Sequence, residues 1–189
     1  MTPGAGADVS TAHADALALL CAWRAPNIAQ KRLRERFVAR LEERPDALHR
    51  SCRPEHLTAS TLVLSPDGDQ VLLTLHAKAQ RWFQLGGHVE PGDQTLADAA
   101  LREATEESGL CGLSLDPEPV HLDAHAVPFC GGVDEETWHL DVRFVAVGDP
   151  ESEHRVSEES SEVRWWPADH LPSDEPSLHE LVALGRAGL

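Results

Sequence analysis

Apolar residues change their period along this chain. Before residue 45 they recur at three- and four-residue intervals. Leu17, Leu20, Cys21 and Trp23 predict a short helix over residues 11–24, ended before Pro26. Leu33, Phe37, Val38 and Leu41 predict a second helix, capped by Asn27 and running to about Arg44. From His56 the apolar positions gather instead into short runs of β-formers. Leu57 to Leu64 and Val71 to Leu75 flank a Ser-Pro-Asp-Gly-Asp turn and read as a hairpin. Trp82 to Leu85 reads as one further strand, leading straight into Gly86 and Gly87. A helical period returns between Thr95 and Gly109. Strands then follow at Val120 to Val127, Trp138 to Val147 and Arg164 to Trp166, with a Gly131-Gly132 loop between the first two. One turn at residues 168–171 precedes a closing helix from Ser177 to about Arg186, apolar at Leu178, Leu181, Val182 and Leu184. Strands lying between helices at both ends predict an α/β class with a sheet covered on both faces.

The helix between Thr95 and Gly109 carries the densest chemistry. Thr95 can cap its first free N–H groups, Asp98 stands three residues on as in a capping box, and Gly109 tolerates the left-handed turn that ends a helix. Steps of 100° put Ala97, Ala100, Leu101 and Ala104 on an apolar side, with Leu96 packed under the preceding turn, and gather Glu103, Glu106 and Glu107 on the other. Like charges about 4 Å apart repel by about 4 kcal/mol at an effective dielectric near 20. A divalent cation reverses that sign, and carboxylate oxygens suit Mg²⁺ or Mn²⁺ better than Zn²⁺. Taken alone, Arg-Glu-Ala-Thr-Glu-Glu reads first as a solvated glutamate face. The glycine pair before it adds a place where backbone can approach a ligand closely.

The stretch from Gly87 to Leu110 resembles the signature of the Nudix hydrolases: Gly, five residues, Glu, seven residues, then Arg-Glu-apolar-any-Glu-Glu-any-Gly-apolar. Gly87 fills the first position, Arg102 and Glu103 the Arg-Glu pair, Ala104 the apolar site, Glu106 and Glu107 the glutamate pair, and Gly109 and Leu110 the end. There are two departures: Asp93 stands for the isolated Glu, and eight residues rather than seven separate it from Arg102. The resemblance implies an α/β/α sandwich with a mixed sheet, here with an N-terminal helical extension. The chain then divides into a mobile terminus (1–10), the extension (11–52) and a Nudix domain (53–189).

The resemblance also implies an Mg²⁺-dependent hydrolase, with Mn²⁺ able to substitute, that cleaves a diphosphate linkage in a nucleoside diphosphate derivative. Glu103, Glu106, Glu107 and the Gly86 carbonyl are then the metal ligands. Glu106, Glu107 and Arg102 form the catalytic set, and Gly87, His88 and Arg81 contact substrate. A downstream glutamate, Glu158, Glu159 or Glu162, is a further candidate base. In the family the isolated acid meets the signature arginine and steadies the loop against the helix; Asp93 is expected to do so here. Two alternatives remain open: a non-catalytic nucleotide sensor on the same fold, and an enzyme like isopentenyl diphosphate isomerase, whose Cys and Glu pair finds no match in Cys130 or Cys111.

Composition narrows the partners. A net charge of −16 argues against binding a nucleic-acid backbone, which needs Lys and Arg to neutralise phosphates. Hydrophobic content of 41% with 25% charged residues fits a globular protein. The opening residues MTPGAGADVS lack the positive patch and apolar core of a signal peptide, and no apolar run has the length of a membrane span, so the expected location is cytoplasmic and away from membranes. A homodimer is compatible with all of this. Lys31, Arg32, Arg34, Arg36 and Arg40 concentrate basic charge on the second helix, facing either a phosphate or solvent. Cys21, Cys52, Cys111 and Cys130 have no zinc-like spacing and read as reduced, buried residues. His121, His125 and His139 share a strand period and read as structural histidines before substrate or metal contacts. Trp82, Phe83, Trp138, Trp165 and Trp166 offer either a stacking surface or core.

Overall fold

The computed structural model describes residues 7–127, 130, 137–153 and 160–189. Two N-terminal helices, α1 (Ala7–Ala22) and α2 (Ile28–Glu43), precede the strands β1 (Glu55–Leu64), β2 (Gln70–His76), β3 (Arg81–Phe83) and β4 (Leu85–His88). Helix α3 (Leu96–Ser108) is followed by β5 (Ser114–Val127), β6 (Thr137–Val147), β7 (Ser160–Pro167) and α4 (Pro176–Ala187). The expected terminus of residues 1–10 is helical from Ala7; residues 1–6 lie outside the described residues, as do the Gly131-Gly132 loop, Glu158 and Glu159.

β1 is the centre of a mixed seven-stranded sheet. Its whole length pairs in parallel with β6, while its other edge takes β4 antiparallel at Thr58–Thr61 and β2 at Val63–Leu64. The single strand expected from Trp82 to Leu85 is therefore two. β3 pairs with β2, and at Gln84 the chain steps across to β1. That step brings the glycine pair beside β1 closely enough that a Cβ on Gly86 would stand 2.3 Å from the Ser60 Cβ.

Alternation along the strands sorts side chains to two faces. Leu57, Ala59, Leu122, Leu140, Val142 and Phe144 join α1, α2 and Leu96, Ala99 and Ala100 of α3 in one core. Leu62, Leu64, Val71, Leu73 and Val145 pack under α4 through Leu178, Leu181 and Val182. The fold is thus an α/β/α sandwich bearing N-terminal helices. In α3 the buried stripe is Leu96, Ala99, Ala100, Ala104 and Ser108, one step round from the expected one. Leu96 is core rather than filler because the helix presses its small residues against β1, where Thr61 donates to the Ala100 carbonyl at 2.9 Å.

The basic helix α2 is largely used for structure. Arg40 is buried and donates to the carbonyls of Arg53 (2.9 Å) and Glu55 (2.8 Å), folding the 44–55 segment back onto the sheet. Arg34 donates to the Trp23 carbonyl and Arg36 pairs with Glu55. Gln30 exchanges two hydrogen bonds with Leu122, satisfying the outer edge of β5 near its bulge. His13 sits 3.0 Å from the Leu41 carbonyl and ties α1 to the end of α2. Among the described residues no helix is long and apolar enough to cross a membrane.

Candidate active site

Both caps of α3 form as its end residues require: the Asp98 N–H donates to the Thr95 hydroxyl at 2.9 Å, and Gly109 closes the helix in the left-handed region. Arg102 then joins the helix to the loop before it. Its Nε and Nη2 donate to the two oxygens of Asp93 at 3.1 and 3.0 Å, and Nη2 also donates to the His88 carbonyl at 2.9 Å. Asp93 in turn accepts the Glu90 N–H at 2.8 Å. The shorter acid and the extra residue thus offset each other, and a fork pair between buried Asp93 and half-buried Arg102 holds residues 88–93 against α3.

The three glutamates of the signature face one cleft of about 720 Å³, lined with them by Gly87, His88, Glu90 and residues 49–51. Glu103 is half-buried, and a Cβ on Gly87 would lie 2.6 Å from its Oε1. Glu107 accepts the Gly86 N–H at 3.0 Å, and Glu106 is exposed. The face is not bare carboxylate, because Arg102 Nη1 donates to Glu103 at 3.0 Å and Glu106 at 3.1 Å. Even so, burial pushes the Glu103 carboxyl up against the pull of Arg102, with Glu106 and Glu90 adding to the rise. The donors gathered here are carboxylate oxygens, which a hard divalent cation fits.

Arg50 lines the same cleft, exposed, and no sequence signal marked it. It arrives because Arg40 folds the 44–55 segment back, a consequence of tertiary packing. Arg81 does not join the cleft lining and pairs with Glu175 instead. His88 lines the cleft but is a neutral ring: burial, with the nearby His56 and the charges of Arg50 and Arg53, pushes it down to about 4. Its Nε2 lies 3.3 Å from the Cys130 Sγ.

The remaining candidates disperse. Trp82 and Trp166 meet edge-on with centroids 5.2 Å apart, Trp138 lies under Arg36, and Trp165 packs in a third cluster, so they form no common stacking surface. Glu162 is exposed, 3.9 Å from Arg164. Cys52 and Cys130 are buried, whereas Cys21 and Cys111 are exposed, contrary to expectation; all four are free. On the α4 side of the sheet, Asp141 accepts from Thr58, Ser60 and Arg143 at 3.1, 2.7 and 2.8 Å. Burial pushes its carboxyl up, but Arg143 and the other partners outweigh that and hold it below the usual range. His121 and His125 flank this network: His121 stands 3.6 Å from Glu180, and His125 lies 2.8 Å from Asp123.

A family model described as the NUDIX domain matches residues 54–184. Solved structures similar to this chain include a NUDIX-family hydrolase from Clostridium perfringens, 22% identical, covering 70% of this chain and 94% of its own, with a TM-score of 0.52. An Ap4A hydrolase from C. elegans is 17% identical over 70% of this chain and 96% of its own, with a TM-score of 0.55. The E. coli dihydroneopterin triphosphate pyrophosphohydrolase is 17% identical over 72% and 97%, with a TM-score of 0.56. At these identities the likeness is one of fold. No curated protein matches the chain.

Proposed function

The chain belongs to the Nudix family and is a hydrolase of phosphorus-containing anhydrides, and from that premise we propose that it cleaves the diphosphate linkage of a nucleoside diphosphate derivative with the help of Mg²⁺. The observation that carries this reading is the cleft in which Glu103, Glu106 and Glu107 face the same space as Arg50. Glu103, Glu106, Glu107 and the Gly86 carbonyl would hold the ion, with Mn²⁺ as a substitute of the same hard character. Such an ion would supply positive charge to the anhydride oxygens.

The protein's own groups supply the rest. Gly87 has no side chain, which leaves Glu103 in place and the strand backbone open to a phosphate. Arg50 offers a guanidinium to a second phosphate. Glu106 or Glu107 takes the proton of the attacking water. Arg102 acts through Asp93 and the His88 carbonyl and is a positioning residue, since its donors are spent inside the protein. His88 gives its carbonyl to Arg102 on this side, while its ring turns to the opposite face of the strand. Cys130 lies among histidines, which does not favour the isomerase alternative.

The experiment is an assay of ADP-ribose, NADH, nucleotide sugars, diadenosine polyphosphates and nucleoside triphosphates with Mg²⁺ or Mn²⁺. Release of a nucleoside monophosphate or phosphate from a diphosphate-containing member, abolished by EDTA, is expected. Tight binding of the same compounds with no product would support the sensor instead.

A further inference from the structure

On the face of β4 opposite Gly87, the side chain of His88 meets two other imidazoles and a thiol. His56 of β1, His88 of β4 and His139 of β6 have ring centroids 5.1, 4.9 and 5.0 Å apart, a nearly equilateral triangle. Cys130 closes the group. One ligand atom from each of the four lies within 4.8 Å of all the others. The geometry points to a second metal site in this protein, a His₃Cys centre for Zn²⁺, distinct from the carboxylate cleft.

Tetrahedral zinc with Zn–N near 2.0–2.1 Å and Zn–S near 2.3 Å places its nitrogen ligands about 3.3–3.4 Å apart and its sulfur about 3.5–3.6 Å from each nitrogen. The Cys130 Sγ is already 3.3 Å from the His88 Nε2 and 3.8 Å from the His56 Nε2. The remaining separations, none wider than 4.8 Å, must close by up to about 1.5 Å to reach that spacing.

His56 is oriented in advance. Its Nδ1 lies 3.2 Å from the Cys52 carbonyl, which can only accept, so the ring proton sits on Nδ1 and the Nε2 lone pair faces the cluster. A carbonyl holding the distal ring nitrogen is the usual outer support of a metal-bound histidine. His139 supplies a separate sign: its Nε2 is buried with no hydrogen-bond partner among the described residues. A buried polar atom left so is destabilising unless something satisfies it.

A packing role alone explains this poorly, since aliphatic residues would fill the same space without aiming nitrogen lone pairs at one another. Three nitrogens and one sulfur select a borderline-soft ion over Mg²⁺, and four protein ligands leave no open position, which marks a structural site. On binding, the Cys130 thiol gives its proton to solvent and the thiolate remains on the ion. The centre would tie β1, β4 and β6 to Cys130, directly behind Gly87. His125, with its centroid 5.7 Å from that of His139 but its Nδ1 on Asp123, stays outside the set.

The test uses the full-length protein stripped of metal and then titrated with Co²⁺ in excess Mg²⁺, followed by visible absorption. One equivalent of cobalt should give intense tetrahedral bands with a thiolate-to-cobalt charge-transfer band, and one equivalent of Zn²⁺ should displace it. Cys130→Ser should remove the charge-transfer band, and His139→Ala should weaken binding by about a hundredfold or more. His125→Asn and Glu103→Gln should leave the spectrum unchanged. A weak octahedral spectrum without a thiolate band in the wild-type chain overturns the proposal, and that reading holds even if a variant fails to fold. Loss of the cobalt signal in Glu103→Gln overturns it too, since the ion would then sit among the carboxylates.

Discussion

Gly87 and His88 are consecutive residues of one strand, yet they look out on two chemistries. On the Gly87 side the donors are carboxylate oxygens, brought by one helix within the five residues from Glu103 to Glu107. On the His88 side they are nitrogen and sulfur, brought by three strands and a loop. The first side carries net negative charge tempered by Arg102 and Arg50; the second holds no carboxylate among its four residues, and His56 and Cys130 are buried. Local repetition along a helix builds the one, and register between strands builds the other.

Removing charge on the Gly87 side should have the largest effect. Glu107→Gln keeps an acceptor for the Gly86 N–H, so the fold is preserved while the charge is lost. Turnover should fall by about a hundredfold or more, roughly 3 kcal/mol at the transition state, with cobalt binding behind the strand unchanged. Steady-state kinetics beside the cobalt spectrum checks both halves; equal turnover to wild type would remove Glu107 from the machinery.

Next in size, Gly87→Ala should push the Glu103 carboxylate aside, because the new Cβ would stand 2.6 Å from its Oε1. A flexible side-chain end yields cheaply, so the melting temperature should hardly move, while kcat drops by about tenfold to a hundredfold. A large fall in melting temperature with intact specific activity would mean that the close approach serves packing only. Arg50→Ala should follow with a rise of about tenfold in KM and little change in kcat, as expected for a phosphate contact made equally in ground and transition states. An unchanged KM would take the 44–55 segment out of substrate binding.

The smallest effect is expected from Asp93→Asn, which weakens but does not remove the fork with Arg102. Activity should fall by about threefold to tenfold and affinity for Mn²⁺ should stay near that of wild type. A strong loss of Mn²⁺ affinity would instead make Asp93 a ligand.

How much of this could be read from residues alone follows the same division. The α3 helix, both of its caps and its glutamate face were legible because every determinant lies between Thr95 and Leu110. Compensation at Asp93 was also legible, since it rests on chain length over nine residues. The buried stripe of α3 was read one step off, because Leu96 owes its place to the sheet behind it. Trp82 to Leu85 looked continuous, and only the choice of partners splits it at Gln84. Arg50 was invisible because Arg40 places it from another element. The four-residue cluster was least legible of all: Cys130 is 42 residues from His88 and 74 from His56, so no spacing rule joins them. Only the pairing of His56 with His139 across β1 and β6, and of Thr58 with His88 across β1 and β4, does so.

The central claim is that the carboxylate side holds a hard divalent ion independently of whatever sits behind the strand. Titrating Mn²⁺ into the zinc-loaded protein and following the free-ion electron paramagnetic resonance signal tests it without requiring a substrate. Saturable binding is expected, lost in Glu103→Gln and kept in Cys130→Ser. Wild-type Mn²⁺ affinity in Glu103→Gln would contradict it.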